Sequence, residues 1–264
     1  MRRIAFINEK GGTCKTTLAV NTAAWLASRR GQRVLLCDLD TQGHAGKSLG
    51  IDVRGVAPTI ADLLCDPAVQ VNDVVLRTAI EGLDLLPSNK QMARFPVEAA
   101  ARAEPERLLQ RKLADLAGYD FVVFDAPPSL GLVTTNVMLA AEEIVVPVAM
   151  TYFALDGCAE ILETVETVRE RFGHEALRVA MVVATLYRKT ALAEEILAKL
   201  RERFPGEICR TVLGYNVQID EAQSYGQTIW EYAPQSRGAQ TLEAIARELL
   251  SRGAAAPAAA RTGS

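Results

Sequence analysis

Short apolar runs bounded by turn residues recur along the chain at positions 4–7, 34–37, 83–86, 121–124, 144–148 and 179–183. They are nearly continuous in apolar residues, which predicts strands covered on both faces. Between them apolar positions recur at helical spacing over 15–30, 105–117, 132–141, 154–172 and 191–204, so strand alternates with helix. The alternation predicts an α/β fold: a single-domain, doubly wound, mainly parallel sheet with helices on both faces. No linker or internal repeat divides residues 1–252, which read as one domain. From Gly253 the chain reads GAAAPAAARTGS, without an apolar stripe, and 253–264 is expected to be a disordered tail.

Composition narrows the function classes. At 264 residues with 49% hydrophobic and 23% charged content, disordered, collagenous and disulfide-scaffold classes are excluded. Lys and Arg number 29 against 32 acidic residues, a net charge of −3, so nucleic-acid binding would need a local basic patch. Five scattered cysteines without a C-x-x-C pair argue against a disulfide framework or a zinc site and fit a reducing cytoplasm. His44 and His174 lack metal-ligand spacing. The apolar run after Arg3 is too short for a signal-peptide core, and no run is long enough for a membrane span, so a cytoplasmic protein is expected.

The first strand runs directly into Lys10-Gly11-Gly12-Thr13-Cys14-Lys15-Thr16-Thr17 and then a helix. In that context a glycine turn and a helix N-terminus aim backbone N–H groups at anionic oxygens; Lys15 suits the β/γ-phosphates and Thr16 a magnesium ion. The strict G-x-x-x-x-G-K-[ST] pattern is broken at both glycines, by Glu9 and by Cys14. The plainer alternative, a Gly-Gly turn between strand and helix, requires neither lysine nor hydroxyls. Asp125 follows the strand at 121–124, at the carboxyl end where open α/β sheets bind ligands, and is expected to hold Mg2+ through water. Cys14, at a helix N-terminus beside the phosphate path, is expected to favour the thiolate.

Residues 10–17 resemble the deviant Walker A motif, K-G-G-x-G-K-[ST]-T, of the ParA/MinD group of P-loop ATPases. Asp38-Leu39-Asp40-Thr41-Gln42-Gly43 resembles that group's D-x-D-P-Q-G, with Thr41 replacing proline. The similarity to ParA/Soj-type partition ATPases extends over about 3–250, with matching segments at 151–157, 216–222 and 236–239. It implies an ATP-dependent homodimer that hydrolyses ATP to ADP and phosphate, binds DNA nonspecifically and answers to a ParB-like activating adaptor, in chromosome or plasmid partition. By the same resemblance Lys10 acts in trans on the partner's phosphates, Lys15 in cis, Asp40 is the catalytic carboxylate and shares the metal site with Thr16 and Asp125, residues 10–17 bind the nucleotide, and Asn216 contacts the base region. For Asp38 a strand end and turn cap is an equal alternative.

Where partition proteins read P-R-N-V-R, this chain reads Gly214-Tyr215-Asn216-Val217-Gln218, without either arginine. DNA binding then falls to Arg188 and Lys189, with Lys199, Arg201, Arg203 and Arg210 as possible extensions, against the alternative of solvated helix charges. A MinD-like membrane switch would need a C-terminal amphipathic helix that the tail lacks, and a nitrogenase-iron-protein carrier would need cluster cysteines. A ParA-like ATPase positioning a non-DNA cargo, such as a protein cluster, microcompartment or polar complex, remains the second reading. Nucleoid association follows only if DNA binding holds.

Overall fold

A computed structural model describes residues 1–151 and 154–254. The order is β1 (Arg2–Phe6), α1 (Lys15–Arg30), β2 (Val34–Asp38), α2 (His44–Ser48), α3 (Ile60–Cys65), α4 (Val71–Val74), β3 (Leu76–Arg77), β4 (Leu83–Leu86), α5 (Phe95–Ala99), α6 (Leu108–Lys112), β5 (Phe121–Asp125) and α7 (Leu132–Ala140). There follow β6 (Glu143–Ala149), α8 (Ala154–Phe172), β7 (Arg178–Tyr187), α9 (Ala191–Arg203), β8 (Leu213–Gly214), α10 (Val217–Ser224), α11 (Ile229–Tyr232) and α12 (Arg237–Ala254).

The strands form one eight-stranded sheet in the order β3-β4-β2-β5-β1-β6-β7-β8, parallel except for β3 against β4. Alternate residues of one strand feed opposite layers. Ile4 and Phe6 pack with α1, α11 and α12 through Leu18, Trp25, Ile229, Leu242 and Ile245; Ala5 and Ile7 pack with α3, α7 and α8 through Leu63, Val137 and Ile161. Burial on both faces explains why the central stretches of the strands are nearly continuous in apolar residues. The crossover from β1 runs toward one sheet edge and that from β5 toward the other, so their carboxyl ends flank the reversal point where such sheets hold ligands.

Helix 15–30 has the expected bounds, and 154–172 matches α8. The segment 105–117 differs: a 3-10 turn at Pro105–Arg107 precedes an α6 of only Leu108–Lys112. The cause is Asn136, fully buried in α7, whose Oδ1 accepts from Leu109 N–H (3.0 Å) and whose Nδ2 donates to Pro105 O (2.9 Å). It starts the helix at that point from outside the segment. α12 continues through Ala254, two residues beyond the expected domain end; the rest of the tail call, 255–264, lies outside the described residues, as do Tyr152 and Phe153 of the matching segment 151–157. No helix among the described residues is long and apolar enough to cross a membrane.

Candidate functional site

β1 ends at Phe6, and Asn8 fixes how the chain leaves the sheet. Its buried carboxamide donates from Nδ2 to Pro147 O (2.7 Å) and accepts Lys10 N–H on Oδ1 (2.9 Å). The Lys10 carbonyl then accepts from Lys15 Nζ (2.9 Å) and Thr13 Oγ1 (3.4 Å), folding the loop around its own backbone. From β7, buried Thr185 donates Oγ1 to Thr13 O (3.1 Å). Gly11 and Gly12 are exposed, and a Cβ on either would meet no atom within 4 Å, so the loop's glycine side is open. Lys15 is 7% exposed; burial lowers its pKa, opposed by the charges of Asp125 and Asp40.

Cys14 caps α1 with φ 66 and ψ 27, a left-handed conformation ordinarily taken by glycine, the residue the family motif has there. The expected thiolate is overturned. The side chain packs against the apolar layer under α1, and burial pushes the thiol up to about 11, with the charge of Asp220 adding to the rise. Desolvation outweighs the helix N-terminus. All five cysteines are free thiols.

The carboxylates gather at the ends of β2 and β5. Asp38 and Asp125 are register partners, both fully buried. Thr16 Oγ1 donates to Asp125 Oδ2 (2.6 Å), while Asp125 Oδ1 is buried without a hydrogen-bond partner among the described residues. Burial pushes the Asp125 carboxyl up to about 7; the Thr16 bond and Lys15 pull it down, and Asp40 pushes it up. Asp40 lies half-buried in the turn after β2, its Oδ1 accepting from Gln42 N–H (3.0 Å) and Thr41 Oγ1 (3.4 Å). An orphan buried oxygen beside a hydroxyl, with a second carboxylate in electrostatic range, fits a hard divalent cation. No group of three or more His, Cys, Asp or Glu among the described residues could hold a metal alone, so a cation here must take its other ligands from phosphate and water.

The structure thus brings Lys15, Thr16, Asp40 and Asp125 together. Lys10 sits differently, its side chain laid on α8 at Gly157, where a Cβ would come within 3.3 Å of Lys10 Cε and 3.4 Å of Glu9 Oε1. Thr17 Oγ1 accepts from Gln223 Nε2 (2.8 Å), tying α1 to α10. Asn216 caps α10, with Oδ1 accepting from Ile219 N–H (3.2 Å), so that oxygen is committed to the fold. Sequence reasoning missed Asn8, Thr185 and Gln223, which act through backbone carbonyls and one hydroxyl rather than a spaced motif; the polar break closing the 179–183 run was the available signal for Thr185.

Arg188 and Lys189 are exposed on the loop from β7 to α9. The Arg188 guanidinium lies 5.5 Å from the ring centroid of Tyr215, itself 53% exposed. Lys199 is paired with Glu195 (2.7 Å) and, with Arg203, lines a cavity beside Cys158 between α8 and α9, so these two do not simply extend the Arg188 surface. His174 Nε2 hydrogen-bonds Ala141 O (2.7 Å), a local role, and Trp25 and Trp230 are both core, with Trp230 Nε1 donating to Asn21 O (2.9 Å).

The protein family described as an AAA domain matches residues 1–179. The chain is 41% identical over 254 residues to the chromosome-partitioning ATPase Soj of Thermus thermophilus, covering 96% of each chain. It is 37% identical over 251 residues to the sporulation initiation inhibitor protein Soj of Bacillus subtilis, covering 95% of this chain and 98% of the relative. Among solved structures, cobyrinic acid a,c-diamide synthase from Mycobacterium smegmatis with bound ATP analogue and magnesium superposes with a TM-score of 0.83 at 30% identity, covering 97% of this chain and 96% of that one. With the phosphate-type loop, the paired strand-end carboxylates and relatives aligned over nearly the whole length, the chain belongs to the ParA/Soj family of partition ATPases within the ParA/MinD group.

Proposed function

We propose that this chain is an ATP-driven dimerisation switch for chromosome or plasmid partition, with residues 1–252 as its ATPase unit, working in the cytoplasm at the nucleoid. The observation that carries the nucleotide reading is the Thr16–Asp125 pair, with one unpartnered carboxylate oxygen beside an open glycine loop and a buried lysine. Lys15 supplies the fixed positive charge for the β/γ-phosphates, and loop residues 10–17 supply the N–H groups. Thr16 and Asp125, with Asp40 nearby, would hold Mg2+, which would supply charge neutralisation to the phosphates. Asp40 orients the attacking water. The amide of Asn216 meets the base region. Lys10 serves the partner's phosphates in trans, giving the electrostatic stabilisation an arginine finger gives elsewhere, and a ParB-like adaptor stimulates turnover.

DNA is the surface this switch engages, through Arg188 and Lys189. The cation stacked on exposed Tyr215 takes over from the arginine usual at that position. The test is a DNA biosensor titration at low and moderate salt, with ATP and with ADP, on wild type and on the Arg188→Glu/Lys189→Glu double variant. Salt-sensitive, ATP-dependent binding lost on charge reversal is expected; binding indifferent to nucleotide or to charge reversal contradicts the assignment, and no binding at low salt favours a ParA-like switch with a non-DNA cargo.

A further inference from the structure

β2 ends on a fully buried aspartate whose two oxygens grip both ends of the next turn. Asp38 Oδ1 accepts Asp40 N–H (3.0 Å) and Oδ2 accepts Ala45 N–H (3.0 Å). Both bonds come from backbone donors, and the span they close, in which Ala45 follows Asp38 by seven positions, contains Asp40. A buried carboxylate is costly, and this one stands beside a second; burial and the charge of Asp125 both raise its pKa. A turn cap alone needs one acceptor. A carboxylate is the side chain of this size that offers two acceptors and no donor; the isosteric amide must turn its NH2 toward one of the two N–H groups and release that end.

The far side of the turn is equally constrained. Gly43 has φ 61, and a Cβ there would lie 2.6 Å from the carbonyl oxygen of Ser88 and 2.7 Å from Val53 Cγ2, so the turn is pressed against the segment after β4. Asp40 Oδ1 is spent on the turn itself, through Gln42 N–H. Its placement relative to Thr16 and Asp125 therefore depends on where the turn is held.

We propose that Asp38 is a positioning residue for ATP hydrolysis: its two-acceptor grip on Asp40 N–H and Ala45 N–H fixes the Asp40 carboxylate over the phosphate site. This rests on Asp40 acting on the attacking water, as in the proposed function. Both Asp38 oxygens are engaged within the turn, so loosening the grip acts on turnover and not on binding. Small displacements of a group that orients a nucleophile cost on the order of 10²-fold in rate.

The experiment measures kcat, KM for ATP and Tm for Asp38→Asn, Gly43→Ala and Asp40→Ala. Gly43→Ala displaces the same turn without altering any carboxylate, and it carries the test should Asp38→Asn fail to fold. The expected result is a kcat lower by on the order of 10²-fold with unchanged KM in both turn variants. Wild-type kcat in either variant, or a proportional loss of kcat and ATP affinity that follows Tm, overturns the positioning role. If Asp40→Ala is inactive while both turn variants hydrolyse at the wild-type rate, the inference alone fails; if Asp40→Ala itself hydrolyses at the wild-type rate, the reading of Asp40 fails as well.

Discussion

Thr16 and Asp125 share a 2.6 Å hydrogen bond from Oγ1 to Oδ2, and the other Asp125 oxygen is buried with no partner among the described residues. That geometry concentrates an unmet acceptor and a buried charge at one point, and divalent cation binding resolves both.

A pH dependence follows. Burial raises the Asp125 carboxyl from its ordinary 3.8 to about 7. The folded state therefore binds more protons than the unfolded chain between those values, and this group's contribution to stability is fully present below the lower one and lost as pH rises through about 7. Cation binding needs the ionised carboxylate, so the thermal shift produced by Mg2+ with ATP should grow from pH 5.5 to 8, roughly across that titration. Scanning fluorimetry over the range checks this; a ligand shift independent of pH contradicts it.

Lys15→Ala removes the buried ammonium that is held on the Lys10 carbonyl and is proposed to meet the phosphates. Charge-assisted contacts to phosphate are worth about 1.5–3 kcal/mol each, so ATP affinity should fall by roughly 10- to 100-fold or more. Titration with a fluorescent ATP analogue measures it, and wild-type affinity would remove Lys15 from the site.

Much of this was legible in sequence because strand ends, glycines and charged residues occur in a fixed linear order: Lys15, Asp40 and Asp125 each follow a predicted strand. What was not legible depends on contacts distant in sequence. Asn136 shortens the 105–117 helix from 27 residues away, measured to Leu109, and Gln223 reaches Thr17 across 206 residues. The Cys14 thiol was misjudged for a related reason: the helix terminus is visible in sequence, but the apolar layer that desolvates the sulfur is assembled only in the fold.

Cys14→Gly should leave stability nearly unchanged. A non-glycine residue in the left-handed region carries about 1–2 kcal/mol of strain, whose relief is offset by about 0.5–1 kcal/mol of backbone entropy gained by glycine in the unfolded chain and by the lost packing of the side chain against the layer under α1, about 0.8 kcal/mol per buried methylene. The raised thiol also predicts slow alkylation of Cys14 near neutral pH that accelerates toward pH 11. Mass-spectrometric labelling rates check this; rapid labelling at pH 7 contradicts it.

Lys10→Ala should leave ATP affinity unchanged, since the side chain lies on α8 at Gly157 and its backbone carbonyl still receives Lys15. A lysine acting in trans makes specific activity rise with protein concentration as dimers assemble. That rise should be present in wild type and lost in Lys10→Ala; equal concentration dependence in both would place Lys10 outside the reaction.

The most direct test of the switch is light scattering coupled to gel filtration on Asp40→Ala, with saturating Mg2+ and either ATP or ADP. Removing the carboxylate proposed to orient water while leaving Lys15, Thr16 and Asp125 in place should trap the ATP state. The account predicts a stable dimer with ATP, a monomer with ADP and loss of hydrolysis. A variant that remains monomeric in saturating ATP, or hydrolyses ATP at the wild-type rate, contradicts it.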